Sequence, residues 1–145
     1  MPAQADRGWT CPECGRTFAH RNQSHGCEPA MTLDEYFVGR PAWQRAIFEE
    51  VRAHLEDVGS LNVEALEVGI FFRRLRTFAE LRPRRDRFVL SVLLSRRLAQ
   101  HPRIAKAWHS SGSRSAYFID LREPSDIDQD VRDWLTEAYL ASQER

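Results

Sequence analysis

Apolar residues recur along this chain with two different periods. Trp43, Ile47, Val51, Leu55 and Val58 stand three or four residues apart, which is the buried stripe of an amphipathic helix. Pro41 suits its first turn and Gly59 its end. A shorter helix precedes it. "TLDE" at 32–35 has the Thr-x-x-Glu form of a capping box and starts a helix through about Val38. Ile127, Val131, Trp134, Leu135 and Ala138 predict a C-terminal helix. It follows Pro124, with a capping box of Ser125 and Asp128 and acids in the first turn, where the helix dipole favours them.

Between these helices the period is two. Val68, Ile70 and Phe72 alternate, and Phe78 to Leu81 is a further short run. Phe88, Leu90, Val92 and Leu94 alternate strongly, and Val89 and Leu93 make the opposite face apolar as well. That pattern predicts a central strand covered on both sides. "RPRRD" at 82–86 is the turn before it. Ala105 to His109 and Ala116 to Leu121 predict a hairpin around "SSGSRS". Two helices, several strands, a hairpin and a last helix point to the α+β class: a mostly antiparallel sheet with helices packed on one face.

The 145 residues suffice for one compact domain and a small appendage. We divide them into a disordered leader (1–8), a Cys/His segment (9–27), a short linker "EPAM" (28–31) and the α+β domain (32–145). No apolar run approaches the roughly 20 residues of a membrane helix. "MPAQADRGW" lacks the basic and apolar regions of a signal peptide. The expectation is a cytoplasmic protein with no membrane partner. Net charge is zero but unevenly spread. Residues 68–108 carry eleven bases against two acids, whereas 28–67 and 109–145 are net acidic. Such a band is either an anion-binding face or a sheet paired to acidic helices.

All three cysteines lie within "WTCPECGRTFAHRNQSHGC". An odd number so closely spaced is a poor disulfide framework and favours a metal. Cys11 and Cys14 form a C-x2-C followed by Gly15, whose freedom at positive φ suits the tight turn. His25 and Cys27 converge if their segment is extended or turned. Cys11, Cys14, His25 and Cys27 therefore make a Cys3His tetrahedron suited to one structural Zn2+. His20 competes for the fourth position, but it closes a small loop and lies far from the roughly twelve-residue gap of a Cys2His2 finger. Four protein ligands leave no open position for water, and no H-E-x-x-H or deaminase pattern occurs, so no catalytic residue is assigned. Asn22 and Gln23 are candidates to contact a partner or to satisfy the knuckle's backbone.

The knuckle, followed by "LDEYFVGRPAWQRAIFEEV", "RTFAELRPRRDRFVL" and "DQDVRDWLTEAY", resembles an uncharacterised bacterial family from Trp9 onward. Its members pair a short Cys/His segment with a small α+β domain of unknown function. The resemblance implies Cys11, Cys14, His25 and Cys27 as the metal set, without a His at position 20. It implies no established reaction.

Three function classes follow. In the first, the protein is a zinc-containing binding module that contacts nucleic acid or another polyanion, with Arg73, Arg76, Arg84 and Arg85 as phosphate contacts. In the second, the arginines and Tyr117 surround a small-ligand or enzymatic pocket between sheet and helices. In the third, the zinc segment docks a protein partner. His109 and Tyr117 beside "SSGSRS" suggest a hydroxyl nucleophile with a base, but no G-x-S-x-G surrounds these serines, and a Ser/Gly hairpin loop is the commoner explanation. His54 reads as a partly buried structural residue and His101 as a loop residue before Pro102.

Overall fold

The computed structural model describes residues 8–27, 29 and 31–142. The leader lies outside the described residues apart from Gly8, as do positions 28 and 30 of the linker and the last three residues. Strands β1 (Trp9–Thr10) and β2 (Thr17–Phe18) pair antiparallel within the Cys/His segment. Helices α1 (Leu33–Phe37) and α2 (Ala42–Val58) follow. Then come β3 (Asn62–Leu66), β4 (Gly69–Arg73), β5 (Thr77–Pro83), β6 (Phe88–Leu94), β7 (Ile104–His109) and β8 (Ser115–Leu121). A 3-10 turn at Pro124–Asp126 leads into α3 (Gln129–Ala141). The six later strands form one antiparallel sheet in the order β3-β4-β5-β6-β8-β7, so the chain is α+β as its periodicity predicts.

Helix starts follow the local chemistry. Thr32 and Glu35 cap α1 reciprocally, at 2.8 and 3.0 Å. Pro41 is the N-cap of α2, and Gly59 closes it with an N–H to the Leu55 carbonyl. At α3 the predicted box of Ser125 and Asp128 does not form. Asp128 alone caps the helix by accepting the Val131 N–H. Asp126 instead accepts the N–H groups of Arg122 and Glu123, which folds 124–126 into a separate turn, and Ser125 donates to Glu123.

The strands depart from the predicted pattern in three places. Strand β3 carries Glu64 among short apolar residues, which hides its alternation. Val68 is not a strand residue: Glu67 and Val68 form the two-residue turn between Leu66 and Gly69, and Val68 is half exposed. Arg82 and Pro83 belong to β5, and the turn is Arg84–Arg87, closed by an Arg84 N–H to the Arg87 carbonyl at 2.7 Å. A bulge opposite Phe72 and Arg73 leaves Phe78 without a cross-strand partner. The local kink lets Phe78 and its neighbour Ala79 both turn toward the helices, where Phe78 meets Tyr139 edge-on at 5.5 Å.

Helices α2 and α3 lie on one face of the sheet. Ile47, Phe48, Val51 and Leu55 from α2, with Val131, Leu135 and Ala138 from α3, pack on Ile70, Phe72, Leu81, Leu90, Val92 and Ile119, all fully buried. His54 joins the two helices, its Nε2 lying 3.0 Å from the Arg132 carbonyl and 2.8 Å from Thr136 Oγ1. The opposite face is less covered. Val89 and Leu93 of β6 are only half-buried, so this central strand is fully covered on one side alone. That second face receives the Cys/His segment over β3 to β5. Leu90→Ala should cost about 3 kcal/mol by opening a cavity at a fully buried site, and Asp128→Ala about 1 kcal/mol by removing a cap. Urea unfolding followed by circular dichroism measures both.

Candidate metal centre and its seat on the sheet

The Cys11–Gly15 turn is built by two backbone bonds at 2.8 Å, Gly15 N–H to the Cys11 carbonyl and Cys11 N–H to the Arg16 carbonyl. Gly15 has φ +74°, and nothing crowds the position where a Cβ would stand, so the backbone conformation is what selects glycine. A second turn at 20–23 has Asn22 at φ +56° and the Gln23 N–H on the His20 carbonyl. Gln23 Oε1 accepts the His20 N–H. These turns return the chain so that the donor atoms of Cys11, Cys14, His25 and Cys27 all lie within 4.8 Å of one another. His20 stands outside that group. The Cys11 and Cys27 sulfurs are 3.7 Å apart. His25 Nε2 is 3.5 Å from Cys14 Sγ and 3.2 Å from Cys27 Sγ. His25 Nδ1 donates to the Gln23 carbonyl at 2.6 Å, which leaves the Nε2 lone pair for an ion. This Cys3His group could hold a metal ion.

The thiols show the need for a cation. Hydrogen bonding from the Cys14 backbone N–H brings the Cys11 thiol down to about 6. Its hydrogen bond with Cys11, then loss of solvent and the neighbouring thiolates, push Cys27 up to about 11. Three sulfurs at van der Waals distance cannot all carry charge unless a positive ion stands among them.

Phe18 connects this centre to the sheet. Its ring is 5% exposed and stacks on the His25 imidazole at 4.1 Å. The guanidiniums of Arg16 and Arg73 both lie 5.0 Å from its centroid, a cation–π distance. Glu64, pointing from β3 away from the helices, binds both arginines: Arg16 Nε at 2.8 Å and Arg73 Nη1 at 3.5 Å. Burial pushes Arg73 below the usual arginine range, Glu64 opposes that shift, and Arg16 adds to it. Gly8 runs so close that a Cβ there would meet the Phe18 carbonyl at 2.3 Å. The seam holds a cleft of about 230 Å³ lined by Arg16, Phe18, Asn62, Glu64, Arg73 and Arg74. A neighbouring one of about 290 Å³ adds Arg76 and Glu80.

The basic band is largely paired. Arg74 Nη1 reaches the Ser60 carbonyl and, at 2.6 Å, the Tyr139 hydroxyl. Arg76 reaches the Ala141 carbonyl at 3.4 Å. Arg82 pairs with Glu80, Arg87 with Asp86 and Asp120, Arg96 with Glu137, and Arg103 with Asp126 and Asp128. Arg84 and Arg85 are exposed, and the Arg84 side chain bonds the Pro83 carbonyl at 3.1 Å. The four candidate anion contacts do not converge. Arg73 and Arg76 flank the start of β5, and Arg84 and Arg85 follow its end, about 20 Å away for seven extended residues.

His109 Nδ1 lies 2.8 Å from Ser115 Oγ across the β7–β8 pair. Ser115 is 1% exposed, so its hydroxyl is closed to a substrate, and the space between sheet and helices is filled by side chains. Tyr117 points its hydroxyl at the Leu98 N–H and the Arg96 carbonyl, holding the 95–98 segment. The sequence reading missed Phe18, Arg16 and Glu64 as the seat of the knuckle. A Thr-Phe strand pair after the C-x2-C turn was the one visible signal.

Together the fold and centre define a class: a small α+β domain with a Cys3His group docked on the open face of its sheet. Residues 33–142 match the family described as Domain of unknown function (DUF5655), and the chain belongs to that family. Comparisons with curated proteins and with solved structures find no match. Among the described residues, no helix is long and apolar enough to cross a membrane.

Glu64→Gln removes a carboxylate bound to both Arg16 and Arg73. Leaving two part-buried guanidiniums without it should weaken knuckle docking by about 3 kcal/mol. Amide exchange should rise across 9–27 while β6 and β8 stay protected.

Proposed function

We propose that this protein is a zinc-ordered binding module that holds an anionic group, a phosphate of nucleic acid or of another polyanion, at the seam between knuckle and sheet. The donor set and its spacing support zinc. A Zn2+ tetrahedron with bonds near 2.3 Å to sulfur and 2.0 Å to nitrogen separates S from S by about 3.8 Å and S from N by about 3.5 Å. The observed separations of 3.7, 3.5 and 3.2 Å match that frame. Four protein donors close the shell, so the ion orders the segment and does no chemistry. Apart from Trp9 and Phe18, residues 9–27 have no large apolar side chain, and a stretch so poor in core folds on its metal.

The anion reading rests on the seam cleft. Arg16, Arg73 and Arg74 meet there, and among the described residues Glu64 is the single carboxylate in the lining. The cleft is smaller than the ~300 Å³ at which pockets for whole small molecules begin, and suits one phosphate or carboxylate group. The knuckle itself is a weak anion binder, since three thiolates and Zn2+ sum to about −1. Its part is to bring Arg16 beside Arg73. Arg82 and Arg87 on the same face are paired with Glu80 and with Asp86 and Asp120, so the contact is local rather than a continuous basic track.

Metal analysis should give about one zinc per chain, lost in Cys14→Ser. Chelation should unfold 9–27 and leave the α+β domain folded. Because Cys27 carries its proton near neutrality without the ion, binding releases protons, and apparent zinc affinity should rise with pH from about 6 upward. Calorimetry in buffers of different ionisation enthalpy reads that release. Fluorescence anisotropy with short single- and double-stranded DNA and RNA tests the anion site. Affinity should fall with salt and drop about tenfold in Arg74→Gln. No binding at low salt, or binding indifferent to salt, would overturn the reading.

A further inference from the structure

The two edges of the six-stranded sheet are treated differently. At β3 the edge is engaged by the chain itself: Met31 bridges Ala65, donating its N–H to the Ala65 carbonyl at 3.0 Å. Among the described residues strand β7 pairs only with β8, and five of its six residues are exposed. Its register sets which backbone groups are free. The Ser110 N–H bonds the Arg114 carbonyl at 3.1 Å, directly opposite it in the hairpin. Hydrogen-bonded and non-bonded pairs alternate along an antiparallel ladder. Trp108 with Ala116 and Lys106 with Phe118 are therefore bonded pairs, and Ala107 with Tyr117 and His109 with Ser115 are not. The N–H and C=O groups of Ala107 and His109 thus point outward from the sheet.

Beside this edge lies a cleft of about 580 Å³. Leu98 and Pro102 form one wall, Ile104 and Ala107 the other, and His109 and Tyr117 close one end. His101 also borders it, its Nε2 3.0 Å from Asp130, and among the described residues no acidic side chain is in the lining. On the far face of the same strand Trp108 is 56% exposed, and the Lys106 ammonium lies 5.9 Å from the centre of the Phe118 ring. An added strand would place alternate side chains on the two faces, one set in the cleft and the other beside Trp108.

We propose that β7 is a docking edge for an extended acidic peptide, which adds as a seventh strand through the outward groups of Ala107 and His109. Charge selects the occupant. The Lys106 ammonium, on the Trp108 face of the strand, favours glutamate or aspartate on that side of the peptide, and the cleft, lined mostly by apolar side chains, favours aliphatic residues on the other. A second copy of this chain is disfavoured by Lys106 and the bulge at Ala105, both features that blunt edge-to-edge pairing. The site lies at the sheet edge opposite β3, five strand spacings or about 24 Å from that strand, and does not depend on the anion reading at the seam.

The test uses the full chain and two short peptides, one of alternating valine and glutamate and one of alternating valine and lysine. With the acidic peptide, the Ala107 and His109 amides should exchange at least about tenfold more slowly while Lys106 and Trp108 are unchanged. Ala107→Pro removes one outward N–H without touching the β8 ladder, and should abolish binding. The amide pattern in the unaltered protein decides the matter if that variant folds poorly. Arg74→Gln should leave peptide binding intact, which separates this site from the seam. The proposal is overturned if neither peptide protects these amides or if the lysine peptide binds as well. It is also overturned if protection of Ala107 and His109 grows with protein concentration alone, which would make β7 a contact between copies.

Discussion

Glu64 holds two guanidiniums with one carboxylate, and the organisation of the sheet's second face depends on it. The helical face would form without it, because that face is apolar from Ile70 to Ile119. The open face has no comparable core. Its order over β3 to β5 comes from Arg16 and Arg73 meeting on Glu64 with Phe18 against them both. Phe18 in turn stacks on His25, so the metal group and the sheet carboxylate are linked by a short chain of contacts. Ordering His25 on an ion orders Phe18, and an ordered Phe18 gives the arginines a surface to lie on. The coupling also runs backward, since a knuckle cut loose from Glu64 loses the cation–π contact with Arg73.

The helices were legible because each carries both a stripe and an end signal. Val131, Leu135 and Ala138 repeat with helical spacing, and Asp128 stands where a cap belongs. The metal group was legible because ligand spacing is a local property: a C-x2-C turn and an H-x-C need only two reversals of the chain to converge. What escaped was non-local or depended on a bulge. Nothing adjacent to Glu64 says that it will meet Arg16, forty-eight residues earlier. Strand β3 is short of large apolar residues because half of it faces the knuckle rather than the core. Phe78 was placed in a strand, but a one-residue bulge decides that it joins the helices' side.

The basic band misled for a similar reason. Summing charge over 68–108 treats neighbours in sequence as neighbours in space. An antiparallel sheet sends alternate residues to opposite faces and consecutive turns to opposite ends. Arg96 and Arg103 leave the band altogether to bind Glu137 and the Asp126–Asp128 turn, and Arg82 and Arg87 are neutralised on the sheet by Glu80 and Asp120. The acidic segments on either side are thus partners for the band rather than a contrast to it.

What remains available for recognition is set by the edges and the seam. A six-stranded antiparallel sheet must do something with its two outer strands. Here the N-terminal side closes one through Met31, and the knuckle arrives on that same side of the sheet. The other keeps two residues' worth of outward backbone groups, a cleft lined mostly by apolar side chains and an exposed tryptophan. Lys106 and the bulge at Ala105 are features that keep such an edge from pairing with its own kind. They do not keep it from a strand of opposite charge, so solubility and selective recognition are served by the same residues.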